Sequence, residues 1–124
     1  MRISSDDRRL LYADVFETPD NDVNIAIIYP TALSAWHRHQ RQDDKFFVVS
    51  GTLKVGVVGP SGDTVWHILS ERQPGPLTII RNHWHGYMNI GSDNAIVIMY
   101  LNKYDPTDEE REPAAPKEWE RIIR

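Results

Sequence analysis

Between Val23 and Leu101 the chain runs in short apolar stretches rich in Val, Ile, Phe and Tyr, broken about every eight to twelve residues by Gly, Pro, Asn or Asp. That rhythm predicts an antiparallel sandwich or barrel. Eight strands are predicted: Val23 to Tyr29, Ser34 to His39, Lys45 to Ser50, Leu53 to Val58, Thr64 to Leu69, Leu77 to Ile80, Trp84 to Ile90 and Ala95 to Leu101. Eight strands suit a jelly roll. Ser50-Gly51-Thr52 can reverse the chain tightly, Gly59-Pro60-Ser61-Gly62-Asp63 is a two-glycine loop, and Gly91-Ser92-Asp93-Asn94 reads as a hairpin tip, so a meander without long crossovers is expected.

The two ends differ from this middle. Up to about Asp22 the chain is polar except for Leu10-Leu11-Tyr12, which reads as an edge strand or as an arm packing on a second subunit. After Asp105-Pro106 it turns acidic and Pro-rich, and Pro116 can open a short helix from Lys117 to Ile123 with Trp119, Ile122 and Ile123 as its apolar stripe. The expected architecture is one all-β domain over residues 1–124, with its core at about 23–105, a polar N-terminal arm and a C-terminal helix or arm.

Candidate chemistry concentrates in Trp36-His37-Arg38-His39-Gln40-Arg41-Gln42-Asp43-Asp44. On an extended backbone alternate side chains share a face, so His37 and His39 converge while Trp36 and Arg38 turn away. His83-Trp84-His85 offers a second such pair, in which His83 is expected at the rim. A β domain with two His pairs has the materials for a polar interior pocket.

Composition narrows the partners. A formal charge of −4 and a pI near 5.7, with basic residues scattered among acidic ones, speak against a nucleic-acid groove or an anionic membrane surface. The chain has no cysteine, so a metal would be held by His and carboxylate. No apolar run approaches membrane-spanning length, and a soluble cytoplasmic protein is expected.

With these elements in place the chain resembles the cupin superfamily, and within it the RmlC-like proteins of nucleotide-sugar metabolism. His37-Arg38-His39, four residues, Asp44, six residues and Gly51 match the first cupin signature, with Asp where Glu is usual; His85 and Asn89 match part of the second. From Trp36 to Trp119 the chain is similar to the dTDP-4-keto-6-deoxyhexose 3,5-epimerases and the related 3,4-ketoisomerases, including the closing run Tyr104-Asp105-Pro106-Thr107-Asp108-Glu109-Glu110-Arg111. The resemblance implies a cupin double-stranded β-helix, a homodimer and a nucleotide-sugar substrate.

In such enzymes a His at the position of His37 removes a proton beside a sugar ketone, and no bound cofactor is needed. The resemblance makes His37 the base and His39 its partner. The epimerases' proton-returning tyrosine falls near Ile98, which makes Tyr100, two residues on, the same-face candidate. Arg41, Lys45, His85, Asn89 and Tyr104 are the expected substrate contacts. Their His-orienting Asp belongs to a C-terminal extension without a counterpart here, and Ser34-Ala35-Trp36 stands where they carry Arg-Gly. Two alternatives keep the fold. A metal-dependent cupin would bind Zn, Fe, Mn or Ni through His37, His39, Asp44 and His85, as a similar zinc-binding cupin domain of polysaccharide biosynthesis enzymes suggests. A non-catalytic sugar-binding cupin would only hold its ligand.

Overall fold

A computed structural model gives the structure of the protein and describes residues 1–115 and Trp119. Eleven strands form among them: β1 (Arg2–Ser5), β2 (Arg9–Ala13), β3 (Asn21–Ile28), β4 (Leu33–Arg38), β5 (Asp43–Ser50), β6 (Thr52–Val58), β7 (Thr64–Ser70), β8 (Leu77–Ile79), β9 (Trp84–Asn89), β10 (Ala95–Asn102) and β11 (Glu110–Arg111). β3 to β10 are the eight predicted strands, each end within two residues of expectation. The predicted helix from Lys117 to Ile123 falls, apart from Trp119, outside the described residues. Among the described residues no helix is long and apolar enough to cross a membrane.

The strands build two antiparallel sheets, β1-β2-β3-β10-β5-β8 and β11-β4-β9-β6-β7. This is the expected jelly roll, with the chain crossing between sheets where the sequence predicts a simple meander. The loop at Gly59 to Asp63 does close a hairpin, β6 with β7. Gly51 and the Gly91 to Asn94 turn instead carry the chain from one sheet to the other. Gly51 has φ +90°, and a Cβ there would sit 2.8 Å from the Ala95 Cα, so a side chain is excluded by both conformation and space. Asn89, expected at the substrate, ties down this corner. It is fully buried, its amide donates to the carbonyls of Ile28 and Asp93, and its oxygen accepts the Gly91 N–H. Every polar atom of Asn89 is therefore spent on backbone, and none is left for a ligand. Leu10-Leu11-Tyr12 is in the strand next to the edge, with Leu11 packed into the core.

The core lies between the sheets and is filled by alternate residues of the facing strands, among them Ile28, Val48, Leu53, Val55, Ile79 and Val97. The same alternation corrects two sequence expectations. In β10 the odd positions Val97, Met99 and Leu101 point in; in β5 the even positions Asp44, Phe46 and Val48 do. Tyr100 and Lys45 are therefore exposed on the outer face, side by side in the β10–β5 register. A period of two leaves no way for either to reach the interior without moving the whole strand.

On the outside of the smaller sheet, Gly56 and Gly86 face each other across β6 and β9 and leave room for bulk from β4. Trp36 occupies it, buried, with its ring 6.1 Å from Trp66 and 5.1 Å from Trp119, while Trp66 and Trp119 meet edge to face at 4.9 Å. Trp119 is 2% exposed, so removing it strips apolar contact from both neighbours. Trp119→Ala is expected to cost about 3 kcal/mol and lower Tm by roughly 10 °C, measured by thermal unfolding.

Candidate active site

A cavity of about 230 Å3 opens between the two sheets, lined among others by Ser34, His37, His39, Asp44 and His85. Its key strand is β4. Ser34 pairs with Tyr87 and His37 with His85, so the β4–β9 register shifts by one residue between these pairs. Ser34 and His37, three apart in sequence, consequently both reach the interior, and Trp36 between them turns outward. Gly86 permits the close approach of the two strands: a Cβ there would lie 2.4 Å from that of Ala35. His39 follows just beyond the strand end. Asp44 comes across from β5 in the opposite sheet.

His39, Asp44 and His85 form one group whose ligand atoms all lie within 4.8 Å of each other. The His85 Nε2 is 3.3 Å from Asp44 Oδ2 and the His39 Nε2 is 3.7 Å from the same oxygen. The other ring nitrogens define the protonation. His39 Nδ1 is 2.7 Å from the Asp108 carbonyl oxygen and His85 Nδ1 is 3.1 Å from that of His83. A carbonyl only accepts, so both Nδ1 atoms carry a hydrogen and both Nε2 atoms are left to face the Asp44 carboxylate. Asp44 is 3% exposed, and its Oδ1 accepts from the Gln42 amide. Two imidazole nitrogens and a carboxylate meeting in a buried space is a donor set that fits a cation. The 3.3 Å and 3.7 Å separations are of the size spanned by two ligands bonded at about 2.0–2.2 Å to one zinc-like ion. Backbone carbonyls behind both imidazoles are the outer-shell partners that metal-binding histidines ordinarily have.

His37 lies beside this group, its ring 6.4 Å from that of His85, but is turned elsewhere. Its Nε2 is 3.1 Å from the Ser34 hydroxyl and its Nδ1 is 3.5 Å from the Glu109 carboxylate. Glu109 is near Nδ1 without hydrogen-bonding it, and the Ser34 hydroxyl is the hydrogen-bond partner of Nε2. The result is an imidazole in the cavity lining with a carboxylate on one side and a hydroxyl on the other. Burial pushes its pKa down to about 4, helped by the nearby His85, Arg111 and His39, while Glu109 opposes the shift. The expected outcome is an imidazole that stays neutral to near pH 4, read from its ring proton shifts by NMR. An unfolded His titrates near 6.5, so between these values the unfolded chain binds the extra proton. The His37 contribution to stability is thus complete above about pH 6.5 and is lost as pH falls towards 4.

A strap between β10 and β11 holds the histidine strand from outside. Asp108 accepts the backbone N–H groups of Gln40 and Arg41 at 2.8 and 2.9 Å, Glu109 faces His37, and Glu110 accepts from Arg38 and Gln40. Asp108 and Glu109 were not singled out from sequence, which expected no counterpart to an orienting acid. The available signal was charge: Asp108-Glu109-Glu110 is complementary to His37-Arg38-His39-Gln40-Arg41.

Of the residues singled out from sequence, the structure brings His37, His39, Asp44, His85 and Tyr104 to the cavity. Of the four suggested metal ligands, His39, Asp44 and His85 converge, and His37 is engaged by Ser34 and Glu109. Arg41 is exposed and donates to Asp105 at 2.7 Å, outside the cavity lining; Lys45, Tyr100 and Asn89 are elsewhere, as described above.

A two-sheet antiparallel barrel with histidines and a carboxylate converging in its interior defines a cupin. No family model matches the chain. It is 29% identical over 110 residues to the probable low-salt glycan biosynthesis epimerase Agl13 of Haloferax volcanii, covering 81% of this chain and 70% of that one. It is 30% identical over 94 residues to the spore coat polysaccharide biosynthesis protein SpsL of Bacillus subtilis, covering 68% and 62%. In structure it is similar to the capsular polysaccharide assembling protein CapF from Staphylococcus aureus, with a TM-score of 0.81 at 24% identity over 91% of this chain. An oxalate oxidase solved in complex with glycolate superposes with a TM-score of 0.71 at 20% identity over 87% of this chain and shares the fold. The chain spans 62% of SpsL and 34% of the CapF chain. The chain has the cupin fold, and the two relatives found by sequence are named for glycan and polysaccharide biosynthesis.

Proposed function

We propose that the chain is a cupin epimerase or ketoisomerase of glycan biosynthesis, moving a proton at the carbon beside the ketone of a nucleotide-linked 4-keto-6-deoxyhexose, with dTDP as the nucleotide. The observation that carries this reading is the placement of His37 in the cavity lining, 3.1 Å from the Ser34 hydroxyl and 3.5 Å from the Glu109 carboxylate. Proton abstraction next to a carbonyl needs a base that is free at neutral pH and a partner for the imidazolium formed. His37 Nε2 supplies the first, and Glu109 stabilises the second. Tyr87 and Tyr104 line the same cavity and are the phenols able to return a proton. The names of Agl13 and SpsL support the sugar chemistry.

The convergence of His39, Asp44 and His85 favours an addition to this reading, in which these three side chains hold a divalent metal. Such an ion supplies a Lewis acid for a substrate carbonyl or enolate oxygen. Incubation with a dTDP-4-keto-6-deoxyhexose in D2O tests the reaction: deuterium entering beside the ketone supports it, and its absence leaves a sugar-binding cupin. Elemental analysis of protein purified without chelator tests the metal, with near one equivalent expected and a metal-free protein counting against it.

A further inference from the structure

The Ser34 hydroxyl oxygen is 3.1 Å from His37 Nε2, and across the ring Nδ1 is 3.5 Å from a Glu109 carboxylate oxygen. A further contact reaches the hydroxyl from the β1–β2 turn of the larger sheet. There the Arg8 guanidinium, held by Asp6 at 3.1 Å, places Nη1 3.5 Å from the same Ser34 oxygen. A hydroxyl, an imidazole and a carboxylate in that order is the arrangement that makes a serine nucleophilic, and it is recognised by geometry rather than by chain position. Proton abstraction beside a ketone uses the imidazole and leaves the hydroxyl without a task.

The placement of Ser34 depends on an irregularity. On a regular strand residues three apart lie on opposite faces, and the register shift in β4 is what turns Ser34 and His37 to one side. Ser34 is 7% exposed and lines the cavity, so its oxygen is open to a molecule held there while bulk water is largely excluded. At about 230 Å3 the cavity admits a small acyl group, and its Arg, Tyr and His lining suits an oxygen-rich alcohol. We propose that the protein has a second activity, hydrolysis of short O-acyl esters of polar alcohols such as sugars, with Ser34 as nucleophile, His37 as its base, Glu109 as the acid that orients the imidazole and Arg8 as donor to the oxyanion. Attack of Ser34 Oγ on the acyl carbon sends the hydroxyl hydrogen to His37 Nε2 and the carbonyl electron pair to oxygen, beside Arg8. Collapse expels the alcohol oxygen, which takes that hydrogen from Nε2 and leaves acyl-Ser34. Water then adds by the same route, its hydrogen passing through Nε2 to Ser34 Oγ as the carboxylic acid leaves. Glu109 faces Nδ1, so its charge stabilises the imidazolium formed at each attack.

The test uses the full chain, with p-nitrophenyl acetate as the ester and diisopropyl fluorophosphate as the trap. Wild type is expected to turn over the ester and to take up one phosphoryl label, located at Ser34 by peptide mass. Ser34→Ala is expected to lose the label and to hydrolyse the ester about 10^2- to 10^4-fold more slowly. Glu109→Gln, which leaves nucleophile and base in place, is expected to lower kcat by about 10-fold or more with KM unchanged. Ser70→Ala, at a strand serine outside the cavity lining, is the control and should match wild type. A wild type that takes no label at Ser34 overturns the proposal, and this result depends on no variant. Turnover retained in Ser34→Ala overturns it as well, tracing hydrolysis to another group such as a metal-bound water. The two activities fail separately: deuterium exchange without ester turnover sinks this inference alone, and ester turnover without exchange sinks the isomerase reading alone.

Discussion

Replacing His37 by alanine is expected to slow deuterium exchange beside the ketone of a dTDP-4-keto-6-deoxyhexose by about 10^2- to 10^4-fold, the range in which a positioned general base contributes. The fold should survive. His37 is partly open to the cavity, and its main partners are the Ser34 hydroxyl and the Glu109 carboxylate, both of which water can serve once the ring is gone. Glu109→Gln should have a smaller effect, because it leaves the base in place and removes only the charge that stabilises its protonated form. Wild-type exchange in the alanine variant would end the assignment of His37 as base. Equal losses in His37→Ala and in a variant at an exposed strand histidine such as His67 would point to damage of the barrel.

For the metal, the informative substitution is Asp44→Asn. It is nearly isosteric, yet it removes the only carboxylate of the three converging ligands. In the wild-type chain the Nε2 atoms of His39 and His85 face the buried Asp44 carboxylate at 3.7 and 3.3 Å. An ion held there at a thousand times its Kd adds about 4 kcal/mol of stability. The expected result is a large drop in Tm when wild type is treated with EDTA, and no response in Asp44→Asn, which should lose its metal. Metal retained at one equivalent in Asp44→Asn, or EDTA without effect on wild type, would refute the site.

Much of this was legible along the chain. Strand alternation in β3 to β10, with turn residues between, located eight strands to within two residues at each end. The His-x-His spacing to Asp44 and Gly51 identified the strand and turn that build the site. What the pattern could not supply was parity and partnership. Tyr100 and Lys45 sit on strands whose existence was clear, but only the pairing of β10 with β5 decides which face is inside, and a step of one reverses the answer. The one-residue shift in β4 that brings Ser34 alongside His37 is a local irregularity with no periodic signature. Asn89 matched a motif by spacing, and burial gave it a backbone role. Asp108 and Glu109 act on residues about seventy positions upstream, a distance over which sequence pattern carries no geometry.

That distance bears on the order in which the molecule acquires its parts. The segment at Asp108 to Glu110 docks on β4, where β11 pairs over two residues and Glu112 exchanges backbone hydrogen bonds with Trp36. Closing so long a loop has to await a formed barrel, because the strap has no surface to bind until β4 lies against β9. Competence of the histidines therefore arrives last in folding. By the same accounting the strap depends on its own contacts, from Asp108, Glu109 and Glu110 to residues 37–41, and a fluctuation that breaks them leaves the barrel whole while freeing the histidines from their outer support.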